Sequence, residues 1–214
     1  MKLWMTLGLL TAGLTGALIA ADVKPVYQND FEKADVDSVP ADFLVIDGAF
    51  AVKSEEGKKF MELPGAPLET YGFLFGPTEK DGIAVTSKLF GTKKGRSFPL
   101  LGVGLNGVGG YRLYVAPAKK AVELKKGDDI VATVPYEWKS GTWSFLKLQN
   151  VAVAGGGWKV QGKVWEEGTP EPAAWTISFD DKTEAPAGRP SLWGCPFAGT
   201  PIRFDDIVVT PAVK

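Results

Sequence analysis

The sequence predicts an all-β fold, a two-sheet antiparallel β-sandwich of the jelly-roll kind. Three observations predict it. The 26 Gly and 15 Pro residues fall mostly between short apolar runs, as expected for many short strands joined by turns. No stretch beyond the N-terminal run carries a convincing helical period. Within the runs, apolar residues alternate with polar or aromatic ones at period two. With 214 residues, 45% of them hydrophobic, the chain can bury a full core in a single domain.

The chain opens with MKLWMTLGLLTAGLTGALIAAD. One lysine precedes a long apolar run, and small residues follow before the first acid. This reads as a secretory signal peptide over residues 1–21, cleaved near Ala20 or Ala21, with the single sandwich domain over 22–214. An uncleaved anchor is the alternative, since the run is long enough to span a bilayer. The expectation is a secreted or periplasmic protein of a bacterial cell envelope, monomeric, with no membrane span after cleavage.

Strand candidates then recur at short spacing. AFAVK (49–53) follows the turn Asp47-Gly48, and GFLFG (72–76) follows a proline-bearing loop. GIAVTSKLF (82–90) leads through a Lys/Gly/Arg loop to FPLLGVGLN (98–106), and GYRLYVA (110–116) follows the turn NGVGG. AVELKKGDDIVATV reads as a hairpin turning at Lys126-Gly127-Asp128. TWSFLKLQN (142–150), GWKVQGKVW (157–165), WTISFD (175–180) and IRFDDIVVT (202–210) complete the set. Alternation puts Leu146 and Leu148 on one side of their strand and Phe145 and Lys147 on the other. It puts Val160, Gly162 and Val164 opposite Gln161, Lys163 and Trp165, and Leu113 and Val115 opposite Arg112 and Tyr114. Each strand thus has one apolar and one polar-aromatic face, and two sheets stacked by the apolar faces make the sandwich. Ten to twelve strands exceed an immunoglobulin domain and suit a jelly roll.

Composition removes several function classes. With 24 basic against 25 acidic residues, the chain lacks the clustered basic excess of a nucleic-acid binder. It contains no histidine, which removes Ser-His-Asp and Cys-His catalysis and every His-based metal site. Any metal is held by oxygen, and calcium is the fitting ion. Cys195 is the single cysteine, so no intramolecular disulfide forms, and its apolar setting in LWGCPF makes it a buried thiol.

Several segments occur together in order: NDFE, GGYRLYV, WSFLKL, KVWEEGTPEPAAW and the terminal FDDIVV. Together they resemble the concanavalin A-like lectin/glucanase superfamily, and within it the secreted bacterial laminin-G-like jelly rolls grouped with 3-keto-disaccharide hydrolase-like domains. The likeness spans most of residues 29–210. It implies two curved sheets, a concave face on which members often bind glycans, and a structural calcium near paired first and last strands. The laminarinase-like branch uses E-x-D-x-x-E; here the only E-x-D is Glu79-Lys80-Asp81, and Ala84 stands in the last position.

Candidate site residues follow. Glu166 and Glu167 are adjacent and point to opposite faces of a continuing strand, so they do not flank one glycosidic bond. Trp165 is out of phase with the core and shares its side with Lys163 and Gln161. It is the leading candidate for a ring that stacks on a sugar. The competing reading packs Trp165 under the loop EEGTPEPAA. Arg112 and Tyr114 share a polar strand face and supply hydrogen bonds to hydroxyls, and Trp193 in SLWGCPF joins the ligand-binding set. Trp175 alternates with Ile177 and Phe179 and reads as core. Trp143 and Trp158 begin strands, where corner packing is the default. Glu32, Asp205 and Asp206 are the candidate calcium ligands, with backbone bonding at a loop as the alternative. The expected partner is carbohydrate. The expected function is a non-catalytic glycan-binding module. The alternatives are a carbohydrate-active enzyme of the 3-keto-glycoside hydrolase type and a structural envelope protein without ligand.

Overall fold

The structure, a computed structural model, describes residues 24–66, 68–183 and 185–212; the expected signal segment lies outside the described residues. Fifteen strands are present: β1 (Tyr27–Asn29), β2 (Leu44–Asp47), β3 (Ala51–Glu55), β4 (Lys58–Leu63), β5 (Tyr71–Leu74), β6 (Ile83–Phe90), β7 (Leu100–Leu105), β8 (Tyr111–Ala116), β9 (Ala121–Lys126), β10 (Asp129–Pro135), β11 (Ser144–Ala152), β12 (Trp158–Glu166), β13 (Ile177–Asp181), β14 (Ser191–Cys195) and β15 (Ile202–Pro211). A single 3₁₀ turn, Pro117–Lys119, joins β8 to β9. Among the described residues no helix is long and apolar enough to cross a membrane.

The strands form two antiparallel sheets. The larger, eight-stranded sheet runs β13-β12-β11-β6-β15-β4-β3, with β1 also on β15; the seven-stranded sheet runs β10-β9-β8-β7-β14-β5-β2. The first and last strands do pair, β1 against the C-terminal half of β15. The strands read from alternation all form, within a few residues of their expected ends. Four were not read: β1, β2, β4 and β14. β4 opens on the charged pair Lys58-Lys59, β1 and β2 have three and four residues, and β14 is buried throughout and so shows no alternation.

Alternation builds the core as expected. Leu146 and Leu148 of β11, Val160 and Val164 of β12, and Val85 and Leu89 of β6 face inward from the larger sheet. Tyr111, Leu113 and Val115 of β8 face them. Gly162 lies opposite Leu113, whose methyl groups occupy the space a Cβ would take, at 2.7–2.8 Å. An aromatic cluster closes one end: Phe43 stacks on Phe73 at 4.9 Å, and Phe50 and Phe204 meet Phe73 edge-on at 4.9 and 5.8 Å.

The outward face of the seven-stranded sheet is also filled. Rings lie flat over strand glycines: a Cβ on Gly72 would stand 2.5 Å from the Trp193 indole, and one on Gly102 would stand 2.6 Å from the Tyr114 ring. Glycine weakens a strand, and here it makes room for an aromatic layer. Adding a methyl forces a rigid ring off the sheet. Gly102→Ala is therefore expected to lower unfolding stability in urea by about 1–3 kcal/mol, the usual cost of overpacking. An unchanged midpoint would show that Tyr114 does not lie on Gly102.

Candidate functional site

On the larger sheet, register lines the outward side chains into rows. Phe145 of β11 is opposite both Trp165 of β12 and Lys88 of β6, and Lys88 is opposite Asp205 of β15. One row therefore runs Trp165, Phe145, Lys88, Asp205. In the next, Phe90 is opposite Arg203, and Arg203 is opposite Glu62. On the other side of the first, Lys163 is opposite Lys147, and Gln161 is opposite Gln149 beyond it.

Lys88 and Asp205 of the first row and Arg203 of the second line a cavity of about 410 Å³, within the range of small-molecule sites. Phe60 and Trp143 supply its apolar wall. Trp143 stands 5.5 Å from Phe90 and 6.4 Å from Phe60. Arg203 lies over Phe60 at 4.5 Å, donates through Nε to Glu62 at 3.2 Å, and pairs with Glu55. At the centre, the Lys88 Nζ sits 3.0 Å from Asp206, 3.3 Å from Asp205 and 3.3 Å from Glu167, with the Trp143 ring 5.1 Å away.

Adjacent residues of a regular strand would point to opposite faces, yet Asp205 and Asp206 both reach Lys88. A β-bulge is the reason. The pairing of β15 with β6 slips between Asp205 and Val208, and Asp206 adopts a left-handed φ of 48°. Ser87 holds the bulge by donating to the Asp205 carbonyl at 2.7 Å, and the Asp206 amide donates to the Asp205 carboxylate at 2.7 Å. Burial pushes the Asp205 carboxyl up to about 6, against the pull of the Asp206 amide and Lys88. Burial alone would lower the Lys88 ammonium, but its hydrogen bond to Asp206 and the surrounding carboxylates hold it above its usual range.

Trp165 stacks on Phe145 at 5.2 Å with an interplanar angle of 12°, and both rings are half-buried. Glu166 and Glu167 part as expected: Glu166 bonds Lys139 at 2.8 Å, and Glu167 reaches Lys88. Trp175 is a correction. It precedes β13, so the strand's alternation does not reach it, and it lies outside the core with the Lys163 ammonium 4.7 Å over its ring.

Arg112, Tyr114 and Trp193 come together on the opposite side of the molecule, the outward face of the seven-stranded sheet. They are 8%, 3% and 4% exposed, so neither ring offers an open face. The Arg112 guanidinium lies 3.9 Å over Trp193. Glu123, 3% exposed, is neutralised on the same face by Lys119 at 2.6 Å.

No protein-family model matches the chain, and neither does any curated protein sequence. Solved structures do match. A carbohydrate-binding module from Bacillus subtilis, CBM66, is similar with a TM-score of 0.54 at 13% identity, over 79% of this chain and 95% of the module. The marine PL-14 alginate lyase from Aplysia kurodai is similar at 0.56 and 12%, over 88% and 100%. The exoplasmic/lumenal domain of VIP36, in a Ca2+/Man3GlcNAc-bound form, is similar at 0.57 and 8%, over 83% and 86%. The chain has the galectin-like, concanavalin A-like jelly-roll fold.

On this jelly roll the six candidate binding residues do not share a surface. Trp165, Lys163 and Gln161 lie on the outside of one sheet, and Arg112, Tyr114 and Trp193 on the outside of the other. Glu32, Asp205 and Asp206 do line one cavity, but Glu32 falls in the turn after β1 rather than on a strand. Lys88 already places its ammonium against both aspartates, where a calcium ion would have to sit, so the residues do not fit that ion. Among the described residues no group of three or more Cys, Asp or Glu side chains is set to hold a metal. Sequence reasoning missed Lys88, Trp143, Glu167, Arg203 and Phe60. The unused signal was an outward Lys88 and Phe90 on a strand that turns Ile83, Val85 and Leu89 inward.

The raised Asp205 carboxyl gives a pH dependence. A carboxyl whose folded pKa lies above its unfolded value adds stability below the unfolded pKa and loses it as pH rises through the folded one. Asp205 thus stabilises the fold fully below its ordinary value of 3.8, and that contribution fades as pH rises to about 6. Comparing melting temperatures of the parent and Asp205→Asn across this window should show the parent losing stability relative to the variant. A constant difference would place the Asp205 pKa at its ordinary value.

Proposed function

We propose that this chain is a non-catalytic glycan-binding domain, secreted or periplasmic and acting as a monomer. Its ligand lies on the outward face of the larger sheet. The observation that carries the reading is a polar cavity of about 410 Å³, lined by Trp143 and Lys88, with the half-buried Phe145 and Trp165 following Lys88 in the same row of the sheet. Sugars need this combination. Their C–H faces stack on rings, each aromatic contact being worth about 1 kcal/mol. Their hydroxyls take hydrogen bonds from Lys88 and give them to Glu167 and Asp206, directly or through water. Carbohydrate-binding structures among the fold's neighbours support the class of ligand.

A second reading, a carbohydrate-active enzyme of the 3-keto-glycoside hydrolase type, is favoured by Asp205. A carboxyl raised to about 6 beside an exposed Glu167 is the kind of pair that splits acid and base roles. The two readings separate on Asp205→Asn. Abolished turnover with intact binding supports the enzyme, and absence of turnover in the parent supports the module.

For the module, Trp165→Ala and Trp143→Ala should each weaken binding of a glycan hit from an array by about five- to 150-fold, as for anchoring aromatics elsewhere. Melting temperature should change little. Trp193→Ala should do the reverse, leaving affinity alone while lowering stability by about 3–5 kcal/mol. Weakened binding in the Trp193 variant alone would move the site to the other sheet.

Lys88, on this reading, takes the charge-balancing role expected of calcium. Melting temperature should then be the same in chelator and in excess calcium. A rise on adding calcium would return Glu32, Asp205 and Asp206 to a metal-binding role, because an ion that binds only the native state stabilises it by mass action.

A further inference from the structure

Beside the Trp165 row lies a second, open cavity of about 300 Å³, between the sheet and residues 171–175 of the segment 167–176. Lys147, Gln149, Gln161, Lys163, Glu171 and Trp175 line it. The sheet contributes both lysines and both glutamines, and the covering segment contributes the acid and the indole. A single carboxylate, that of Glu171, accepts from Lys163 at 2.8 Å and from Lys147 at 3.0 and 3.3 Å. Gln149, buried, donates to Gln161 at 3.2 Å. The Lys163 ammonium also lies over the Trp175 ring.

The charge arithmetic is uneven: among the described residues lining the cavity, two ammonium groups share one carboxylate, an excess of one positive charge. The burial is uneven as well. The Lys163 and Lys147 side chains are 10% and 20% exposed, and Glu171 is 38% exposed. The cations are built into the sheet and the anion is on the rim. Its segment is weakly tied, since Pro170 and Pro172 on either side of Glu171 have no N–H to donate. The backbone bonds that hold the segment are at its ends, from the Glu167 amide to the Trp143 carbonyl at 3.0 Å and from the Thr176 amide to the Gly162 carbonyl at 2.9 Å. The Glu171 carboxylate is what ties its middle to the sheet.

We infer that this cavity is a subsite for a uronic acid residue of an acidic glycan, and that Glu171 occupies the place of the sugar carboxylate until the ligand displaces it. The sugar carboxylate bridges Lys147 and Lys163, its ring packs against Trp175, and its hydroxyls meet the amides of Gln149 and Gln161. The subsite continues the proposed glycan face, because Lys163 is the next outward residue to Trp165 on β12. It rests on that reading and adds the class of sugar.

The test is calorimetric titration of the full chain with a homogeneous oligogalacturonate and with its methyl ester, on the parent, Glu171→Gln, Lys163→Gln and Lys147→Gln, with melting curves confirming folding. The acid should bind more tightly than the ester and lose affinity as salt is added. Lys163→Gln and Lys147→Gln should each weaken the acid about tenfold, the scale of one charge-assisted bond. Glu171→Gln should strengthen it several-fold. Each of the three should change affinity for the ester much less than affinity for the acid. Equal binding of acid and ester, or a Glu171→Gln variant that binds the acid no better than the parent, overturns the uronate subsite. If the ester still binds and Trp165→Ala weakens it, the glycan face survives that failure. If neither oligosaccharide nor any array glycan binds, both fall.

Discussion

A β-strand cannot turn one side chain inward without turning its neighbours outward, and this constraint organises the whole molecule. In β6, β11, β12 and β15 the inward positions are taken by Val85, Leu89, Leu146, Leu148, Val160, Val164, Phe204 and Val209, all buried. The packing between sheets then fixes register, because slipping any strand by one residue would expose this set. Fixed register in turn sets Trp165 beside Phe145, Phe145 beside Lys88 and Lys88 beside Asp205. Lys88, Arg203 and Asp205 inherit their geometry from the core because they sit on rigid strands, and Trp143 and Glu167 sit just beyond strand ends.

One departure from alternation lies at the centre of the site. The bulge at Asp205–Asp206 turns two consecutive carboxylates toward one ammonium and shields one of them more than the other. Uneven shielding separates the two acids chemically: burial raises the Asp205 carboxyl, and Asp206 hydrogen-bonds Lys88 directly. The two sheet exteriors differ in the same physical terms. On the smaller sheet the outward groups cover one another, with Arg112 over Trp193 and Tyr114 over Gly102, and the rings are buried. On the larger sheet comparable groups border cavities, and their remaining valences face solvent.

The fold and the facing of the longer alternating strands were legible in the sequence because alternation is local. Trp165, read as out of phase with Val160, Gly162 and Val164, does point outward. Which outward faces share a side of the molecule is not local. Arg112 and Tyr114 were read correctly as a polar face, but β8 and β12 belong to different sheets, and only long-range pairing decides that. The bulge that turns both Asp205 and Asp206 toward Lys88 left no mark in FDDIVV. Trp175 was misread because alternation was extended past the start of β13 at Ile177. Trp143 looked like corner packing, and its role emerges only when Phe60 of β4 and Phe90 of β6 are brought to it by the sheet.

The central claim is that ligand binds the exterior of the larger sheet and not that of the smaller. The tryptophans divide between the two, so the indole N–H signals of the protein report the face directly. In a heteronuclear NMR titration with a bound glycan, the account predicts that the signals of Trp143 and Trp165 shift while that of Trp193 stays in place. A shifting Trp193 signal with Trp143 and Trp165 unmoved would contradict it.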